Sequence, residues 1–190
     1  MEIIFASNNA HKLEEVKSKL PKEFKVLSLK QVLGDVDIPE TGETLDANAI
    51  IKAKYVFDKT GKNCFADDTG LEIAALNGEP GVYSARYAGE DCSFQDNMDK
   101  VLKGLDGEED RSAQFRTSIC LFLDGKQHLF EGAVEGEILK EEHGNDGFGY
   151  DPIFRPSGFE ESFAQMSMAQ KNEISHRGRA VQKLVDFLLS

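Results

Sequence analysis

The chain has 190 residues, 40% hydrophobic and 29% charged, a composition that excludes disorder and suits one soluble globular domain, residues 1–190, with a sizeable core. A formal net charge of −12 excludes general affinity for nucleic acid or an anionic membrane, because both need a broad basic surface to displace counterions. Three dispersed cysteines, Cys64, Cys92 and Cys120, exclude a CxxC metal or redox motif. With no leader and no apolar run near the ~20 residues of a membrane span, the expected compartment is the cytoplasm.

Glu2 to Ala6 is a short apolar run that predicts a buried strand, and Ser7-Asn8-Asn9 offers capping side chains for a helix that follows at once. Leu13, Val16 and Leu20 share one face of that helix, which Pro21 ends. Phe24 to Leu29 predicts a second strand. After the loop Asp37 to Gly42, a stripe of Leu45, Ala49, Ala53, Val56 and Phe57 predicts a helix closed by Gly61. Asn63 to Ala66 is strand-like and delivers Asp67-Asp68-Thr69-Gly70; Leu71 to Leu76 predicts another strand. Ser93 with Asp96 reads as a capping box opening a helix with Phe94, Met98, Val101, Leu102 and Leu105. Alternation from Ala113 to Leu123, the turn Asp124-Gly125 and the return Gln127 to Leu139 predict a hairpin. Gly144 to Gly149 is loop, and a helix capped by Ser175 closes the chain. Early strand–helix alternation followed by a hairpin predicts an α/β fold with a mixed β-sheet flanked by helices.

Chemistry concentrates in a few segments. Asp67-Asp68 has turn composition, yet a carboxylate pair at a strand end is costly unless a cation meets it, and a hard divalent ion such as Mg2+ takes oxygen ligands of this kind. Glu40 is a candidate second ligand, or a solvated loop carboxylate. Ser7-Asn8-Asn9-Ala10-His11-Lys12 joins strand to helix, where backbone N–H groups and Lys12 suit a phosphate, although the spacing is not that of a P-loop. Lys52 reads as a phosphate ligand or, more often at such an apolar helix edge, as a snorkelling lysine. Phe148-Gly149-Tyr150-Asp151 sets two aromatics among glycines, and bases stack on exposed rings. Lys171, Ser175, His176 and Arg177 cluster at the start of the last helix and offer hydrogen-bond donors.

Seven segments in order, Ser-Asn-Asn-Ala-His-Lys (7–12), Glu-Thr-Gly (40–42), Asn-Ala-Ile-Ile-Lys-Ala (48–53), Ala-Asp-Asp-Thr-Gly-Leu (66–71), Pro-Gly-Val-Tyr-Ser-Ala-Arg-Tyr (80–87), Gly-Phe-Gly-Tyr-Asp-Pro-Ile-Phe (147–154) and Ile-Ser-His-Arg-Gly (174–178), resemble the inosine triphosphate pyrophosphatase family. The resemblance spans nearly the whole chain and departs at no motif residue. It implies an elongated fold with two lobes and a central substrate cleft, a homodimer, and Mg2+, one or more per subunit. It further implies hydrolysis of non-standard purine nucleoside triphosphates (ITP, dITP and XTP) to the monophosphate and pyrophosphate. Carried over, Ser7 to Lys12 and Lys52 hold the triphosphate, Glu40 and Asp68 hold the metal, and Asp68 accepts the water's proton. Thr69 contacts substrate, Phe148 stacks on the base with Gly149 and Tyr150 in its loop, Asp151, Lys171, His176 and Arg177 complete the pocket, and Arg86 is a weaker phosphate candidate. Arg177 or His176 would read a 6-oxygen, so Arg177→Ala should impair turnover and leave folding nearly intact. A regulatory nucleotide-binding protein without turnover, or a phosphohydrolase of other substrates, is the competing expectation.

Overall fold

In the computed structural model, which describes residues 1–190, β1 (Glu2–Phe5) is buried from its second residue on. Asn9 accepts a hydrogen bond from the Lys12 amide and caps α1 (Ala10–Lys19), which gives way to extended backbone at Leu20, before Pro21. β2 (Lys25–Ser28) is shorter than the sequence suggests because Ser28 and Gln31 form a capping box that opens a short helix, α2 (Leu29–Leu33). α3 (Leu45–Thr60) ends at Gly61, whose φ of 64° is the left-handed position glycine takes without strain.

The largest departure from expectation is β3 (Cys64–Ile73), one continuous strand of ten residues where the sequence suggests two strands around an Asp-Asp-Thr-Gly turn. Turn propensity loses here because the strand is buried on both sides of the acidic pair, and tertiary partners neutralise the carboxylates. A short 3-10 turn, Ala74–Leu76, replaces the end of the expected strand. α4 (Phe94–Gly104) carries the expected Ser93–Asp96 capping box. β4 (Ser112–Leu123) and β5 (Lys126–Ile138) flank Asp124 and Gly125, both at positive φ, as a tight hairpin requires. β6 (Phe154–Pro156) pairs antiparallel with β5 and is too short to be legible as a strand in the sequence.

A short helix not expected from the sequence, α5 (Met168–Ile174), has its own capping box, Ser167 with Gln170; Ser175, extended at φ −68° and ψ 154°, separates it from the expected C-terminal helix, α6 (His176–Leu188). Lys171 therefore belongs to α5 rather than to the start of the last helix.

The six strands form one mixed sheet in the order β2-β1-β3-β4-β5-β6, with β1 parallel to both its neighbours. The chain folds as two compact units, one of residues 1–68, 117–132 and 177–190, the other of residues 69–116 and 133–176. In the first unit strand alternation sorts the core into two layers. Ile3, Phe5, Phe65, Ile119 and Leu121 pack with Val16 of α1 and with Ala180, Val181 and Leu184 of α6. Ile4, Ala6, Cys64, Ala66, Cys120 and Phe122 pack with Ala49, Ala53 and Val56 of α3. In the second unit, Leu71, Ile73, Phe115, Val134 and Phe154 pack with Met98, Val101 and Leu105 of α4. No helix is long and apolar enough to cross a membrane.

Gly136 lies opposite Pro156 in the β5–β6 pair, where an added Cβ would stand 2.3 Å from the Arg155 carbonyl oxygen and 2.6 Å from the Phe154 ring. Backbone cannot yield as a flexible side chain can. Gly136→Ala is expected to lower stability by roughly 1–3 kcal/mol, read from the urea midpoint; an unchanged midpoint would show that the strand pair can widen freely.

Candidate active site

In the first unit the chain leaves β1 for β2 on one side and returns to β3 on the other, so the crevice beyond the end of β1 is a topological switch point, the habitual ligand position in sheets of this kind. Phe5 pairs with Phe65, which sets Asp67 level with Ser7, the residue leaving β1. Ser7 Oγ accepts from the Asn9 amide at 3.2 Å, and Asn8 Nδ2 donates to the Val36 carbonyl at 3.0 Å, so the loop is held before α1 begins at Ala10. His11 is exposed in the first turn. The N-terminus of α1 and the acidic residues of β3 thus share one crevice.

Successive side chains of a strand point to opposite faces. Asp67 accordingly follows Phe65 toward α1 and α6, and Asp68 follows Cys64 and Ala66 toward α3. Each meets its own cation. Lys12 Nζ lies 3.0 Å from Asp67 Oδ2, and Arg177 Nε donates to the same oxygen at 3.3 Å while its Nη1 pairs with Glu15. On the other face Lys52 Nζ lies 3.4 Å from Asp68 Oδ1 and pairs closely with Glu40. Glu40 is presented by a loop pinned to α3: the Gly42 amide donates to Asn48 Oδ1 at 2.7 Å, and a side chain at Gly42 would collide with Ala47 and Asn48.

The two carboxylates differ electrostatically. Burial pushes Asp67 upward, but Lys12, Arg177 and Lys52 outweigh it and hold its carboxyl well below the usual range. For Asp68 burial dominates; Lys52 pulls downward, Glu40 repels, and the net shift is upward even with Asn48 close by. Asp68 Oδ2 is buried and has no hydrogen-bond partner, and Asn48 Nδ2 makes no bond of regular geometry either. Burial lowers Lys12, with Arg177 and Lys52 adding to that effect against the attraction of Asp67. Burial also opposes the charge on Lys52 and on Arg177, but their carboxylate neighbours outweigh it and raise both.

Lys12, Lys52 and Arg177 are here already paired with Glu15, Glu40, Asp67 and Asp68. Cations engaged in this way are poorly suited to a polyphosphate alone, whereas a divalent cation beside the carboxylates would add positive charge. No cluster of three or more His, Cys, Asp or Glu side chains forms a closed cage. An all-oxygen pair beside an unpartnered buried carboxylate oxygen fits a hard ion that takes its remaining ligands from water and phosphate.

The second unit gathers the other predicted residues. Asp151 Oδ2 accepts from the Phe148 amide and from Lys171 Nζ, each at 2.6 Å, and a Cβ at Gly147 would strike the same carboxylate. The Phe148 loop is therefore folded around a buried ion pair. Tyr150, expected as a second exposed ring, is instead buried in the core, with its hydroxyl donating to the Ser84 carbonyl at 2.7 Å. His176 stacks on Phe115 with centroids 4.7 Å apart. Thr69 continues β3 and is half-buried, and Gly149 has a φ of 63°. Arg86 lies 3.7 Å from Glu90 and over the Tyr83 ring.

Two outcomes correct the sequence reading. Arg177 is a buried counter-ion to Glu15 and Asp67, so its removal would strand two carboxylates and cannot leave folding untouched. Glu15 and Asn48 carry no role in that reading. Glu15, buried on α1 three residues after Lys12, and Asn48, inside the 48–53 motif, carry no local signal of their contacts in the sequence.

A dITP/XTP pyrophosphatase of Flavobacterium psychrophilum is 55% identical over 187 residues, covering 98% of each chain. The Staphylococcus aureus Ham1 protein superposes with a TM-score of 0.92 at 43% identity, covering 99% of this chain and 98% of that one. A HAM1 protein from Coxiella burnetii gives 0.93 at 42% identity, covering 100% and 98%. The family model of the Ham1 family matches residues 3–187, almost end to end, and the chain belongs to that family.

Proposed function

We propose that this chain hydrolyses ITP, dITP and XTP to the nucleoside monophosphate and pyrophosphate, removing them from the nucleotide pool. The observation that carries the reading is Asp68: a buried carboxylate with a raised pKa, one oxygen on Lys52 and the other without a protein partner, at a switch-point crevice lined by lysines. The name borne by the Flavobacterium relative supports the substrate class.

Asp68 orients a water against the α-phosphorus and accepts its proton; the water oxygen bonds to phosphorus as the bond to the bridging oxygen breaks and pyrophosphate departs. A carboxylate shifted upward is a better proton acceptor than an ordinary one. Lys12 and Lys52, with the Ser7 to His11 segment before and in the first turn of α1, neutralise the polyphosphate. Glu40 and Asp68 would hold one or more Mg2+ ions, which when bound lower the pKa of water and offset developing charge. Thr69 contacts substrate. Phe148, with Gly149 and Tyr150 in its loop, stacks on the base, while Asp151 and Lys171 fix that loop and His176 reads the 6-oxygen. Arg177 completes the set by holding Asp67 and Glu15 in place. A donor facing the 6-amine of ATP would lose its bond, a physical basis for rejecting it. The same reading includes residues 1–190 acting as one catalytic domain, a homodimer, and work in the cytoplasm.

Pyrophosphate release from ITP, XTP and dITP with Mg2+ is expected to exceed release from GTP or ATP, to stop with EDTA, and to fall at least about 100-fold in Asp68→Asn. Tight binding without pyrophosphate would favour a regulatory nucleotide-binding protein, and orthophosphate as product would indicate another phosphohydrolase.

The adjacent aspartates should differ in stability. Asp67, lowered on folding, contributes stability that is present above the ordinary carboxylate pKa and is lost as pH falls toward its folded value. Asp68, raised on folding, subtracts stability at neutral pH, and the penalty fades as pH falls through its folded value. At pH 7, Asp67→Asn and Arg177→Ala are expected to lose about 3–5 kcal/mol, as broken buried pairs do, while Asp68→Asn should match or exceed the parent in thermal denaturation. Equal losses at the two aspartates would refute the division.

A further inference from the structure

Asn48 is fully buried on α3, one helical turn before Lys52, so the two side chains share a face of the helix. Its backbone is fixed in the first turn, where its amide donates to the Thr44 carbonyl at 3.1 Å. The side chain works in two directions. Oδ1 accepts from the Gly42 amide at 2.7 Å, while Nδ2, equally buried, makes no bond of regular geometry and lies beside Asp68, whose carboxyl it draws downward. Between an N–H group and a carboxylate a primary amide has one favourable orientation, oxygen to Gly42 and nitrogen to Asp68. Gly42 is equally committed: an added Cβ would stand 2.7 Å from Asn48 Oδ1 and 2.7 Å from the Ala47 Cβ.

A tie to Gly42 alone would need only an acceptor, and burying a primary amide is costly unless its polar atoms are used. The residue present also turns a donor toward Asp68. Glu40 stands two residues before Gly42 in the loop that this tie presses against α3. Glu40 pairs with Lys52 as well, but a lysine that meets a polyphosphate is drawn away from its carboxylate. The uncharged tie through Asn48 is indifferent to that change.

We infer that Asn48 is a positioning residue that holds the Glu40 loop in register with Asp68, so that the two carboxylates are pre-set for a divalent cation; the inference rests on the reading of Glu40 and Asp68 as metal ligands given above. The role requires no contact between Asn48 and substrate or ion. Side chains that orient metal ligands from behind govern metal affinity by about 10- to 100-fold.

The test titrates Mn2+ into the full-length protein and follows the loss of the free-ion EPR signal. The samples are the parent, Asn48→Ala, Gly42→Ala, Glu40→Gln and the double variant of Asn48→Ala with Glu40→Gln, each well below its thermal midpoint. The Mn2+ dissociation constant is expected to rise about 10- to 100-fold in Asn48→Ala and by a similar factor in Gly42→Ala, which breaks the tie from the loop side. The double variant should bind within about twofold of Glu40→Gln alone, because Asn48 acts through Glu40. The Mg2+ concentration for half-maximal pyrophosphate release from ITP should rise in parallel, with the rate recovering at saturating Mg2+. If Glu40→Gln weakens Mn2+ binding but Asn48→Ala does not, or if the two effects multiply, the positioning role is overturned and the metal reading stands. A lowered thermal midpoint in Asn48→Ala at unchanged Mn2+ affinity would overturn it too, by showing a merely structural tie. If Asn48→Ala does not fold, Gly42→Ala decides alone. If the parent binds no Mn2+, or Glu40→Gln binds it as the parent does, the metal reading fails and the inference falls with it. The expected Mn2+ results without pyrophosphate release from ITP would uphold the positioning role and refute only the substrate.

Discussion

Two charged side chains in succession on a buried strand impose a constraint that shapes the first unit. Neither can turn to water, and strand geometry sends them to opposite faces, so one shared cation cannot serve both at contact distance. The chain answers with separate partners from separate elements: Lys12 of α1 and Arg177 of α6 for Asp67, Lys52 of α3 for Asp68. The placement of three helices over the sheet is thereby tied to a pair of adjacent residues. The layers that pack beneath them, led by Phe65 on one face and Ala66 on the other, follow the same alternation.

Compensation is unequal on the two faces. Asp67 has two cations in contact and a third nearby, so its charge is favoured despite burial. Asp68 shares its lysine with Glu40, and like-charge repulsion adds to desolvation. Such a deficit would be a defect in a purely structural strand. At a switch point, beside a helix N-terminus and a short loop clamped by Asn48, it leaves an arrangement that a cation and an anion together would relieve. Pairing, rather than simple positive charge, distinguishes this crevice from an ordinary phosphate cradle.

Local signals made much of the fold legible. Caps at Asn9 and Ser93, the Gly61 stop and the Asp124-Gly125 turn are chemical statements a sequence makes directly, and each stands where expected. The Asp67-Asp68 segment was read less well because turn propensity is a property of residues while the strand is a consequence of partners far along the chain. The Ser28–Gln31 and Ser167–Gln170 boxes were present in the sequence, but each opens a helix too short for apolar periodicity to show. Tyr150 looked like an exposed platform because its glycine neighbours suggest a loop; only the core around Phe154 and Phe163 reveals that the ring turns inward. Roles such as those of Glu15 and Asn48 depend on contacts 162 and 6 residues away, and the longer of these has no periodic trace.

Placing both carboxylates on one rigid strand also separates two demands that usually conflict. A reactive carboxylate works best when its charge is poorly satisfied, and poor satisfaction destabilises the fold. Here the well-paired neighbour sits one residue away on the other face, where it pins α1 and α6 to the strand through Lys12 and Arg177. The strand that carries the unsatisfied group is thus clamped by the satisfied one. Because the two side chains point apart, Asp68 rides on a strand pinned through its neighbour by contacts that leave its own charge poorly satisfied. A turn at this sequence would have offered the same two carboxylates without that clamp.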